Sequence, residues 1–118
     1  MKPALSAIAL AFGASVASAA PQLVTNPQMC GLSAIDGQEL GMTLTASEMF
    51  EIEYYCAFEP PVEFRWDGDV TTTRLGYCSE PGLIEPILVT FQFGSYEPGV
   101  VNLWWQGGDA PTRFLACE

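Results

Sequence analysis

Phe50-Glu51-Ile52-Glu53-Tyr54-Tyr55-Cys56 is the stretch that decides how this chain is read. Phe50, Ile52, Tyr54 and Cys56 alternate with Glu51, Glu53 and Tyr55. A period of two is the signature of a half-buried β-strand, here with its acids turned to water, and a helix would scatter the same residues around its axis. Downstream, Pro60-Pro61 interrupts the run, and Val62, Phe64 and Trp66 then alternate with Glu63, Arg65 and Asp67. Asp67-Gly68 is a type I′ turn signal, since both central positions of that turn need positive φ. With the Thr-rich run Asp69 to Leu75 returning, residues 61–75 are predicted to form a hairpin.

The same punctuation continues to the C-terminus. Pro81-Gly82 turns the chain into a long strand, Ile84 to Phe93, with Ile87, Val89, Phe91 and Phe93 on one side. Pro86 must lie at its start or at a sheet edge, because proline has no N–H for a ladder. Pro98-Gly99 is a type II turn signal before a strand from Val100 to Trp105, and Gly107-Gly108-Asp109 leads into a last strand, Thr112 to Cys117. Upstream, Leu40 to Thr45 is a short strand, and residues 20–38 show no period and read as an irregular N-terminal arm. Six to eight strands joined neighbour to neighbour predict an all-β antiparallel meander, closed into a small barrel or folded as a two-sheet sandwich.

Residues 1–19 read as a cleaved signal peptide. Lys2 gives the positive start, Ala4 to Val16 the apolar stretch, and Ala17-Ser18-Ala19 the small-x-small pattern for cleavage. The apolar stretch is too short for a comfortable membrane span, and no second one of that length follows. What remains, 20–118, is one exported domain, periplasmic or extracellular. It carries three arginines, no lysine, no histidine and fourteen acids, a formal charge of −11 against −10 for the full chain.

Cys30, Cys56, Cys78 and Cys117 all lie in this exported part. An even count behind a signal peptide reads as two disulfides, and the lack of any CxxC pair argues against zinc-ribbon or thioredoxin-like chemistry. Four cysteines permit three pairings. The pairing preferred from sequence is Cys30–Cys78 with Cys56–Cys117, the second closing a loop of about 60 residues worth on the order of 4 kcal/mol by chain entropy.

Charge and composition remove whole classes of function. An excess of acids argues against nucleic acid, which demands clustered Lys and Arg, and against an anionic membrane surface. A Ser or Cys nucleophile needs a base, usually His or sometimes Lys, and the exported part has neither. No cofactor is implied. Asp67-Gly68-Asp69 invites a calcium reading, but an EF-hand loop starting at Asp67 would have Cys78 at its twelfth position, where a Glu is required. Carboxylate catalysis on a glycan is the enzymatic alternative, and a purely structural envelope role is a third.

The candidate binding residues are aromatic and acidic. Adjacent strand residues point to opposite faces, so one of Trp104 and Trp105 is expected in the core and the other outside. Tyr96 and the pair Glu51 and Glu53, read as neighbours on one strand face, complete the set. With the negative charge, they suggest a non-catalytic binding or inhibitor-like module for a cationic protein or a glycan.

The Tyr55-Cys56 strand, the Val62-Glu63-Phe64 strand and Cys117 one residue from the end resemble the membrane-bound lysozyme inhibitor type over residues 50–118. That family is of small exported acidic β-barrels. It inserts a loop with a Ser-Gly-x-Arg-Tyr type motif into an enzyme cleft. This chain has no such motif, since Gly94-Ser95-Tyr96 lacks the basic residue, so the resemblance implies the fold and carries no site residue over.

Overall fold

A computed structural model describes residues 22–118, and the signal peptide expected over 1–19 lies outside them. Eight strands close into one antiparallel barrel in chain order: β1 (Leu23–Val24), β2 (Thr43–Leu44), β3 (Glu48–Glu51), β4 (Tyr54–Glu59), β5 (Val70–Glu80), β6 (Leu83–Phe93), β7 (Val100–Trp105) and β8 (Thr112–Ala116). The barrel closes where β1 pairs with β8, Leu23 opposite Ala116. Closure removes most free edges and gives the inward half of every strand one shared core. Phe58, Phe91, Phe93, Phe114, Leu103 and Met49 fill that core, all 2% exposed or less.

The hairpin between β5 and β6 is the longest element, with eleven residue pairs from Val70–Phe93 to Glu80–Leu83. Pro81-Gly82 makes its turn, with Gly82 at φ 86°. β4 pairs with β5 only from Leu75 to Ser79, and β7 pairs with β6 only from Val89 to Phe93. The stagger tilts the strands around the barrel, as closure requires. It also leaves Leu83–Leu88 of β6 without a strand on its outer side. Pro86 sits in that stretch, which satisfies the edge position required of it.

Four sequence expectations change. The run Phe50–Cys56 is not one strand. It folds back at Ile52-Glu53, with Glu51 opposite Tyr54 and Glu53 at φ 58°. The two-residue turn shifts the phase of the alternation, putting Glu51 on one face with Tyr54 and Phe50 on the other with Tyr55, so Phe50 does not share the inward face of Cys56 as the pattern implied. Ile52, expected inside, is 45% exposed at that turn.

The predicted hairpin over 61–75 is also replaced. Residues 61–69 pair with no strand, although the alternation is real: Val62 is buried, and Phe64 and Trp66 are half-buried while Glu63, Arg65 and Asp67 face water. Phe64 packs edge-on to Phe93 (5.2 Å) and Trp66 to the same ring (6.3 Å), so the segment is an apolar strap under one mouth of the barrel. Asp69 anchors its end. One carboxylate oxygen accepts from the Ser95 N–H, the Ser95 hydroxyl and the Tyr96 N–H, each at 3.1 Å. This brings the backbone so close to Gly94 (φ 147°) that a Cβ there would lie 2.4 Å from the Gly68 carbonyl oxygen.

The disulfides are Cys30–Cys117 and Cys56–Cys78, which overturns the preferred Cys30–Cys78 and Cys56–Cys117. Cys56 and Cys78 face each other across β4 and β5 with Cα atoms 4.0 Å apart. Cys117 donates its N–H to the Gln22 carbonyl, which carries the end of the chain to the start of β1, within reach of Cys30. The stretch expected to be irregular over 20–38 holds β1, a 3-10 turn (Pro27–Met29) capped by Asn26, and a single helical turn, α1 (Ala34–Gly37), capped by Ser33. Leu23 and Val24, wholly buried, close the barrel. A two-residue strand is too short to show a period, which is why sequence patterning misses it.

Candidate functional site

The Ile52-Glu53 and Pro81-Gly82 turns lie at one end of the barrel. There, α1, the β3–β4 hairpin and the β5–β6 turn surround a groove of about 450 Å³. Its walls include Ile35 of α1, Phe50, Tyr54 and Tyr55, and its rim includes Glu51, Glu53 and Glu80. The aromatic rings are held from both sides of the sheet. Tyr55 points outward, packs at a tilt against Phe50 (5.2 Å between centroids) and donates its hydroxyl to Glu48. Tyr54 points inward and packs against the core, with Trp105 6.2 Å away. Trp105 is in turn oriented by its Nε1–H, which donates to the Thr112 hydroxyl at 3.0 Å.

The acids give this mouth its character. The Tyr54 hydroxyl is held above its ordinary pKa of 10.0, first by burial and then by the negative charges of Glu80, Glu85 and Glu51. Tyr54 therefore reports a local field made by three carboxylates from three strands. None of the arginines answers them. Arg65 pairs with Asp67 (3.5 Å), Arg113 with Glu97, and Arg74 donates to the carbonyls of Pro60 and Pro61. Among the described residues no three carboxylates lie close enough together to share a metal ion. Carboxylates so spread around aromatic faces suit a larger cation, such as a guanidinium or an ammonium on a side chain.

The candidate binding residues named from the sequence do not form one site. Glu51 and Glu53 do meet at the groove, but across a turn rather than on one strand face. Trp105 joins them through Tyr54. Trp104 faces the other way, half-buried on the outer surface opposite Thr90, so the two tryptophans do divide between inside and outside. Tyr96 lies at the opposite end of the barrel, in the loop that Asp69 anchors, where its hydroxyl accepts from Asn102 (3.3 Å). Glu97 of the same loop is tied to Arg113, whose hydrogen bonds hold the carboxyl below its usual range.

The residues that sequence reasoning missed are Tyr54, Glu80 and Glu85. Tyr54 read as an ordinary core position. Glu80 and Glu85 flank Pro81-Gly82, and only the register of that turn, with Glu85 opposite Cys78, brings them to Tyr54. No protein family, curated protein or solved structure matches the chain.

Proposed function

We propose that this chain is an exported, periplasmic or extracellular, non-catalytic binding or inhibitor-like module, and that its acidic, aromatic groove receives a cationic side chain of a protein partner. The observation that supports it most is the groove that sets Glu51, Glu53 and Glu80 beside Tyr54 and Tyr55 with every arginine engaged elsewhere. Charge of this sign steers basic partners toward the mouth and repels nucleic acid and anionic lipid. The two disulfides fit an oxidising compartment, and no helix of the described residues is long and apolar enough to cross a membrane.

The test is a calorimetric binding titration with penta-lysine and with a panel of basic proteins that includes a lysozyme and a ribonuclease. Binding at low salt that weakens as salt rises, and that drops several-fold in Glu51→Gln and Glu80→Gln, supports the reading. The absence of any binding at low salt removes it.

A further inference from the structure

Among the described residues, the outer side of β6 from Leu83 to Leu88 is a stretch that no strand covers, as is β5 from Val70 to Arg74 on its β4 side, where the strap over 61–69 lies instead. Its main-chain directions follow from the last residue of the stretch. The Leu88 N–H donates to the Gln106 side chain (2.9 Å) and the Leu88 carbonyl accepts from the Gln106 N–H (3.0 Å), so both Leu88 groups face away from β5. Strand alternation then turns the carbonyl of Pro86 and both main-chain groups of Ile84 the same way. Pro86 opposes Tyr77 at a position where the ladder to β5 asks no N–H of it. The edge thus presents three main-chain partners: Ile84 N–H, Ile84 C=O and Pro86 C=O.

The face beside this edge is apolar. The register places Leu75 opposite Leu88, Tyr77 opposite Pro86 and Ser79 opposite Ile84 on one surface. Ile84 is 72% exposed, and Leu88, Tyr77 and Leu75 are each more than a third exposed. A bare apolar edge strand is a hazard unless it is guarded or used. The patch also runs into the groove. Ser79 and Glu80 line it, and Glu85 lies on β6 between Ile84 and Pro86.

We propose that this edge takes an extended segment of a basic polypeptide, which adds a strand to β6 while one of its cationic side chains enters the acidic groove. This rests on the cation-binding reading above and narrows it from a cation to a peptide chain. Charge selects the occupant. A second copy of this chain would bring one strongly negative surface against another and set Glu80 and Glu85 of both copies beside one another, whereas alternating basic and apolar side chains match the acids and the patch together. A glycan offers no regular ladder of N–H and C=O groups.

The experiment uses the disulfide-bonded chain with three probes: penta-lysine, an alternating Lys-Leu decapeptide, and the same decapeptide N-methylated at every second residue. Amide hydrogen exchange and resonance shifts at Ile84 are the readout. The expected result is at least about tenfold slower exchange at Ile84 with the decapeptide, and about tenfold weaker binding of its methylated twin. If both decapeptides bind equally, Ile84 stays unprotected and shifts are confined to Glu51, Glu53 and Glu80, the edge assignment falls while the cation reading stands. If no probe binds at low salt, both fall. Protection of Ile84 without peptide, growing with protein concentration, assigns the edge to a second copy and overturns the proposal. Ile84→Pro removes the edge donor and is expected to erase the difference between the twins. The twins carry the same test should that variant not fold.

Discussion

Tyr54 is the residue at which fold and proposed function meet. Its ring completes the core beneath the groove, and its hydroxyl stands among carboxylates. Because burial and those carboxylates disfavour the phenolate, the folded protein holds this proton more tightly than the unfolded chain. The resulting stability is fully present below pH 10.0 and is lost as pH rises through the higher folded value. Glu80→Gln removes one of the charges and is expected to bring the Tyr54 titration down toward 10.0, measured by ultraviolet difference absorption. A bound cation acts in the same direction, so penta-lysine lowers it as well. Asp69 makes a second prediction at this scale. Its carboxylate satisfies two backbone N–H groups and a hydroxyl, and Asp69→Ala is expected to cost about 1 to 3 kcal/mol in urea unfolding. Asp69→Asn, which keeps one acceptor oxygen, is expected to cost less.

Among the elements, the strap over 61–69 carries more weight than its lack of strand pairing suggests. It has no ladder and one main-chain bond, from the Val62 N–H to the Ala46 carbonyl (2.8 Å), so its place depends mostly on side chains: Val62 at 2% exposure, the edge-on contacts of Phe64 with Phe91 and Phe93, and Arg74 holding the carbonyls of Pro60 and Pro61. Phe64→Ala is expected to cost about 2 to 4 kcal/mol, somewhat under the range for a fully buried phenylalanine because this one is half-exposed. Thermal unfolding followed by near-ultraviolet circular dichroism measures it. Glu63→Gln on the water side of the same segment is expected to change stability by less than about 0.5 kcal/mol. The contrast between the two variants tests whether the alternation of this segment marks packing rather than pairing. The sequence makes the alternation plain. It does not contain the partner, and here the partner is the barrel mouth rather than a strand.

At the scale of the molecule, two disulfides close a barrel of modest size. In the chain-entropy account the Cys30–Cys117 bridge, with a separation of 87 residues, contributes about 4.6 kcal/mol and Cys56–Cys78, with 22, about 3.4 kcal/mol. The two differ more in what they secure. Cys30–Cys117 ties the 3-10 turn after β1 to the end of β8, and these strands meet through only two residue pairs. Cys56–Cys78 lies inside a ladder of five. Replacing Cys30 and Cys117 by serine is therefore expected to lower stability by about 2 to 5 kcal/mol and to speed exchange at the amides of β1 and β8 above all. Replacing Cys56 and Cys78 by alanine leaves that closure intact.

The sequence by itself determined the all-β class, the neighbour-to-neighbour strand order, the long β6 with its edge proline, and the net acidity of the chain. Each of these is local. Period-two patterning, turn residues and net charge are properties of short windows or of simple counts. Only the tertiary structure decided that Phe50–Cys56 bends at Ile52-Glu53, that Leu23 and Val24 close the barrel, and that Cys56 pairs with Cys78. It also decided that Glu51, Glu53 and Glu80 line one groove with Tyr54 while Tyr96 is sent to the far end. These depend on register between strands distant in the chain, and a shift of a single residue would turn every side chain of a strand to its other face.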